Sequence, residues 1–376
     1  MPPLSRIRPQ SRSRAPRLDP VPSRVPVTYV VPTPHPAFLL RGAGQYTFAV
    51  ISDLARAQRI AGLGHPDWDE GRILSEPLRP AEIVAWLEET RRSRCRVSVD
   101  VENEIAYRGK ALLTHVGVAR GYDGDRRALD RSALCVWLRR KNRQRVYTDE
   151  GEGKIRHALR SLLGDEKVSK TMQNGAHDVD VLTGNGLGPI RGYDRDTLVM
   201  HMVLSPEEPH SLDYLGSTYT DAPRWKQEAK GGSGVASLRK IPDGVFRRYN
   251  ALDCAVTLAV DRALWTEIRK DPVLVKLLER KMGCADLARR IGARGFAIDP
   301  VRLREARIAY ARRMESGLGK MREIIGEPDF DPRKPKALRD VFYVKFGAPI
   351  TLRTRVTRVG SLAKTLLPRL RPYLPS

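Results

Sequence analysis

The segment Val97-Ser98-Val99-Asp100-Val101-Glu102-Asn103 constrains the fold of this 376-residue chain more than any other. Its valines alternate with small or acidic residues, the pattern of a strand with one apolar face. Asp100 and Glu102 stand two apart, so a strand places both carboxylates on the same side. Charges inside a valine-rich strand are costly unless they are paired or coordinate a cation. A solvated strand end is the alternative for this motif taken alone. Two further apolar runs, ALLTHVGVA and ALCVWL, predict the next two strands. A helix near Gly151–Leu163 and a strand at KVSKTMQ come after them, and helices dominate from Asp196 to about Ala293. The predicted class is α/β, a mixed sheet flanked by helices.

Two more acids occupy positions that a fold of this kind can bring to the first pair. Asp178 lies where a strand gives way to a helix starting at Val179, and the helix dipole favours a carboxylate there even without a metal. Asp180 is a rival, but Leu182 falls four residues after Asp178 and shares its helical face. Tyr249 and Asp253 are spaced i and i+4 on a predicted helix, Phe246–Trp265, and so lie one turn apart on one face. Read singly, each has an ordinary role, as a helix-end acid or a surface pair. Read together, four carboxylates can grip two hard cations that prefer oxygen ligands. Two such cations can drive in-line phosphoryl displacement.

Charge points to the same chemistry. Lys and Arg number 67 against 44 Asp and Glu, a net charge of +23 spread along the whole length. Such a spread suits a nucleic acid, through release of counterions at phosphates, although genomic composition bias also produces basic chains. The four cysteines, Cys95, Cys135, Cys254 and Cys284, form no CxxC pair. That spacing predicts neither a zinc site nor a disulfide framework, and a reducing, cytoplasmic setting. No apolar run approaches the roughly 18 residues of a membrane span, and no solenoid-length repeat is visible.

The ordered set resembles the exonuclease domain of family A DNA polymerases, in the DEDD superfamily of 3′–5′ exonucleases. VDVEN matches an Asp-x-Glu motif, QNGAHDVDVL an Asn-x-x-aromatic-Asp-x-x-x-Leu motif, and YNALDCAVT the Tyr-x-x-x-Asp of the tyrosine subclass. DRDTLVMHMVLSPEEPHSLDYLGSTY resembles the Asp-Thr helix and Ser-Leu helix between the last two motifs. The pattern departs at Asn103, where Thr is usual, and at His177, where Phe or Tyr is usual; no ligand is lost. The resemblance implies a ribonuclease H-like domain with a mostly helical C-terminal extension, and two Mg²⁺ or Mn²⁺ ions. Asp100, Glu102 and Asp253 would hold one ion, Asp100 and Asp178 the other, with Tyr249 and Glu102 orienting the attacking water. The implied substrate is single-stranded DNA or a frayed 3′ end, and the product a nucleoside 5′-monophosphate.

The remaining segments fill in around this domain. Residues 1–24 are rich in Arg, Pro and Ser and read as a disordered basic tail. Residues 25–62 resemble the His-Pro region of uracil-DNA glycosylases, with a helix from Phe48, but nothing before them supplies a glycosylase's other parts. Residues 63–92 read as a connector, 93–270 as the exonuclease domain, and 271–376 as the start of a polymerase thumb, with a short strand at Gly295–Ile298 and a helix starting at Asp299-Pro300. The polymerase palm and fingers have no counterpart, so a separate chain carrying them is an expected partner; a membrane is not. Arg139, Arg140 and Lys141 in a basic loop are candidate DNA contacts. Asn174 is a candidate contact to the terminal nucleotide or a support for the second motif. Lys230–Gly234 reads as a flexible loop, and Trp225 and Tyr219 beside it as core residues or base-stacking groups. A ribonuclease-D-like RNA exonuclease, or a catalytically idle DNA-binding subunit, would share the same carboxylates or the same charge.

Overall fold

The computed structural model describes residues 47–105, 111–122, 130–226 and 241–350, with isolated positions between 31 and 40 and at 124 and 127. The basic start, the glycine-rich loop at 230–234 and the segment after residue 350 lie outside the described residues. The chain divides into two compact units, up to Arg294 and from Gly295.

In the first unit the elements run α1 (Thr47–Leu63), β1 (Arg72–Leu74), α2 (Pro80–Ser93), β2 (Val97–Ile105), β3 (Ala111–Arg120), β4 (Ser132–Trp137) and α3 (Asp149–Gly164). They continue with β5 (Lys170–Met172), α4 (Ala176–Gly184), β6 (Tyr193–Asp196), α5 (Thr197–Leu204), α6 (Leu212–Tyr219), α7 (Asp243–Ile268) and α8 (Pro272–Arg294). One sheet has the order β1-β4-β3-β2-β5-β6. Only β3 runs antiparallel to its neighbours. The five strands from β2 to β6 thus form the ribonuclease H-like arrangement, and the expected class is met.

The alternation read in β2 separates two cores. Val97, Val99 and Val101 face the cluster that includes Ile83, Leu87, Ile155, Leu159 and Leu162 of α2 and α3. The opposite face turns to α7, where the Ser98 hydroxyl donates to the Cys254 carbonyl at 2.6 Å. Ala119, Ala133 and Cys135 meet Ala251, Cys254, Ala255 and Leu258 there. Small residues on both sides let a long helix lie close against the sheet. Thr148 caps α3, its hydroxyl accepting from the Gly151 N–H at 3.2 Å, and three acids follow in the first turn.

Two strands escaped the sequence reading. β1 and β6 have three and four residues, too few for alternation to register. The strand expected at Gly295–Ile298 does not form; those residues are irregular, and Phe296 and Ile298 are exposed. An apolar stretch without a ladder partner has no means of satisfying its backbone as a strand.

The second unit carries α9 (Pro300–Ile325) and α10 (Pro335–Arg339), the latter running into a π-turn at Asp340–Lys345. Asp299 caps α9 as read from sequence, accepting from the Val301 and Arg302 amides at 2.8 and 3.2 Å. A small core of Ile325, Phe330 and Val341 closes this unit. Among the described residues, no helix is long and apolar enough to cross a membrane.

Candidate active site

β2 and α7 bring the acids together. One carboxylate oxygen from each of Asp100, Glu102 and Asp253 lies within 4.8 Å of the others. Asp178, in the first turn of α4, is held against β2 by the Val101 N–H, which donates to its Oδ1 at 3.0 Å. Tyr249 sits one turn before Asp253, and its hydroxyl is hydrogen-bonded to that carboxylate. Asp100, Glu102, Tyr249 and Asp253 therefore meet at one place, with Asp178 anchored on the backbone between the first two. The ladder between β2 and β3 bulges between Glu102 and Asn103, where the register shifts by one residue before pairing resumes from Asn103 with Leu113.

A glycine on the neighbouring strand makes this approach feasible. Gly117 pairs with Asp100, and a Cβ there would lie 2.6 Å from Cys254 Sγ and 2.7 Å from Asn250 Oδ1. With no side chain in the way, α7 settles on the sheet and Asn250 Nδ2 donates to Asp100 Oδ2 at 2.7 Å. Neither residue was singled out in the sequence. A polar residue within an otherwise buried helical face, three before Asp253, was the available signal.

Asn174 has a left-handed backbone, φ 56°. Its amide N–H donates to Asp196 Oδ1 at 3.0 Å, and the Gly175 N–H to Asp196 Oδ2 at 2.8 Å. Tyr193 donates its hydroxyl to that same Oδ2 at 2.5 Å. Asp196 also caps α5 through the Leu198 N–H, at 2.9 Å. The end of β6, which the sequence did not reveal, thus fixes the turn that delivers Asp178. The two departures from the motif pattern are joined, His177 Nε2 lying 2.8 Å from Asn103 Oδ1.

The electrostatics are those of crowded anions. Burial first, then the charges of Asp253, Asp178 and Glu102, hold the Asp100 carboxyl well above the usual range. Burial, with Asp253 and Asp178, pushes Glu102 up to about 8. Burial also pushes Asp178 up to about 7, against the Val101 hydrogen bond that favours its anion. Asp253 is raised by burial and opposed by Lys226, Trp225 and Tyr249. Oxygen donors that resist ionisation when bare, those of Asp100, Glu102 and Asp253 gathered within reach of one point, fit a divalent cation.

The basic loop behaves differently. Arg139 is buried and faces inward, its Nη1 and Nη2 reaching Glu152 at 2.7 and 3.0 Å. This corrects its assignment as a DNA contact, because a guanidinium locked in an internal bidentate pair is not offered to phosphate. Lys141 binds the Ile241 carbonyl and lies 3.3 Å from Asp243. Arg140 is exposed, over the Trp137 ring at 5.1 Å. Trp225, read as a core residue or stacking group, is buried with its indole N–H on Asp253. Tyr219 is half-buried beside His201.

A family model described as 3′–5′ exonuclease, the exonuclease domain of family A DNA polymerases, matches residues 80–269, half of the chain. The chain belongs to this family. It is accordingly a nuclease. DNA polymerase I of Pseudomonas aeruginosa is 27% identical over 299 residues, covering 78% of this chain and 30% of the relative. DNA polymerase I of Synechocystis is 26% identical over 236 residues, covering 60% and 24%. The chain spans less than a third of the length of these curated relatives. Among solved structures, the POL domain of Pol1 from M. smegmatis, in complex with DNA primer-template and dNTP, aligns with a TM-score of 0.43 at 21% identity, over 80% of this chain and 47% of that one.

Proposed function

We propose that this exonuclease removes nucleoside 5′-monophosphates from DNA 3′ ends with two divalent cations, in proofreading or a related replication or repair step. The meeting of Asp100, Glu102 and Asp253 within 4.8 Å carries the reading. Asp100, Glu102 and Asp253 would hold one Mg²⁺ or Mn²⁺, and Asp100 with Asp178 the second. When bound, such ions lower the pKa of the attacking water and neutralise charge at the phosphate. Tyr249 and Glu102 orient that water for in-line attack, and the Tyr249 phenol stays protonated because burial and the facing carboxylates raise it far above its ordinary range. It therefore acts as a hydrogen-bond donor and not as a base.

The DNA polymerase I relatives support DNA over RNA as substrate. The helical unit from Gly295 is read as the start of a thumb that meets a polymerase palm and fingers, carried by a separate chain or a longer one. Side-by-side digestion of matched single-stranded DNA and RNA, with Mg²⁺ or Mn²⁺, tests the substrate. Faster nucleotide release from DNA is expected. Faster release from RNA would replace this reading with a ribonuclease-D-like one, and release from neither would leave a DNA-binding subunit.

A further inference from the structure

Trp225 and Lys226 are adjacent in sequence and act on the same atom of a candidate ligand. The Trp225 indole N–H donates to Asp253 Oδ1 at 2.6 Å. The Lys226 ammonium stands 3.4 Å from that same oxygen. The indole is tightly seated: Trp225 is 3% exposed, and at Gly216 of α6 a Cβ would come within 2.9 Å of its ring. An indole carries one polar atom, a donor, so burying it against a carboxylate fixes how that carboxylate turns. Lys226 is half-buried and lies 5.7 Å from the Tyr249 ring. Its positive charge bears on Asp100 and Glu102 as well as on Asp253.

These neighbours have opposite consequences for a cation. A neutral donor that orients one oxygen of Asp253 prepares the carboxylate as a ligand without adding charge. An ammonium beside the same carboxylate occupies the place of a counterion and repels a second positive charge. We propose that Trp225 and Lys226 are positioning residues that set the divalent-cation affinity of the carboxylate cluster in opposite directions, the indole raising it and the ammonium lowering it. The inference rests on Asp253 being a metal ligand, as in the proposed function. It makes Lys226 a built-in counterion that holds the crowded acids together before a cation arrives and gives way to it afterwards.

The test is Mn²⁺ titration of the full chain without nucleic acid, followed by loss of the free-ion EPR signal, with thermal unfolding recorded for each variant. Trp225→Phe keeps most of the ring and removes the donor; it is expected to weaken Mn²⁺ binding by roughly tenfold, the scale for losing a group that orients a metal ligand. Lys226→Met keeps the apolar stem and removes the charge; it is expected to tighten binding severalfold. A purely structural role would move the unfolding temperatures and leave the affinities alike. Unchanged affinities, or both variants shifted in the same direction, would overturn the proposal. If Trp225→Phe does not fold, Lys226→Met decides: tighter binding supports it, equal or weaker binding overturns it. Asp253→Asn separates the two layers. If it binds Mn²⁺ as the native chain does, the ligand assignment itself fails, and the inference with it.

Discussion

Two dense clusters of like charge lie along this sequence, the acids that gather on β2 and α7 and the basic loop at 139–145, and the fold treats them oppositely. Each basic side chain with an ion pair in that loop meets an acid of the protein itself: Arg139 meets Glu152, Lys141 meets Asp243, Arg143 meets Glu104 and Arg145 meets Asp149. The acids instead crowd against one another, Asp178 and Asp253 buried and Asp100 and Glu102 half-buried, with Asn250, Trp225, Tyr249 and Lys226 as their polar neighbours. A charge cluster neutralised from within holds the fold, whereas one left short of counterions by burial is prepared for a ligand.

The contrast breaks most visibly at its acidic end. Asp100→Ala is expected to lower single-turnover nucleotide release by roughly 10²–10³-fold, the scale of removing a central electrostatic group from an active site, while the variant stays folded by circular dichroism. Arg139→Ala should do the reverse. It removes two charge-assisted hydrogen bonds from buried Glu152, for a loss of about 2–3 kcal/mol in urea unfolding, with nuclease activity per folded molecule retained. A large fall in DNA affinity for a folded Arg139→Ala protein would return that residue to the DNA-binding surface.

The crowding also predicts a pH dependence of stability. Glu102 has its folded-state pKa raised from 4.5 to about 8, so the metal-free folded state holds a proton that the unfolded chain has released across that window. Its contribution to stability is present below 4.5 and is lost as pH rises towards 8. Glu102→Gln, which cannot ionise, should therefore be more stable than the native chain at pH 8 without metal and equal to it near pH 4. Chemical denaturation at the two pH values checks this, and saturating Mg²⁺ should narrow the gap at pH 8. The smallest effect concerns the motif departures. In a double-mutant cycle of Asn103→Thr and His177→Phe, a coupling of about 0.5–1 kcal/mol in unfolding is expected for a solvent-exposed hydrogen bond.

Much of this was legible in the sequence for a physical reason. Period-two alternation is strong in β2, and i,i+4 spacing is strong in α7, so local pattern alone places Asp100, Glu102, Tyr249 and Asp253 each on a face. Asp178 followed from its position at a helix start. What stayed hidden depends on contacts between elements distant in sequence. Gly117 is an ordinary strand glycine until α7 is laid across it, and Asn250 is one more helical polar residue until it meets Asp100. Trp225 and Lys226 reach Asp253 across a gap of more than twenty residues, which no local pattern encodes. Arg139 stayed ambiguous in the sequence for the same reason, since its partner Glu152 is supplied by a helix that follows the loop.

The central claim is that these acids make a divalent-cation site for cutting from the 3′ end. The direct measurement is single-turnover digestion of single-stranded DNA labelled at its 3′-terminal nucleotide, with and without Mg²⁺, for the native chain and Asp100→Ala. The first product from the native chain should be a labelled nucleoside 5′-monophosphate, formed only with the cation, and Asp100→Ala should form almost none. Equal release by the two proteins, or release that does not require the cation, would contradict the account.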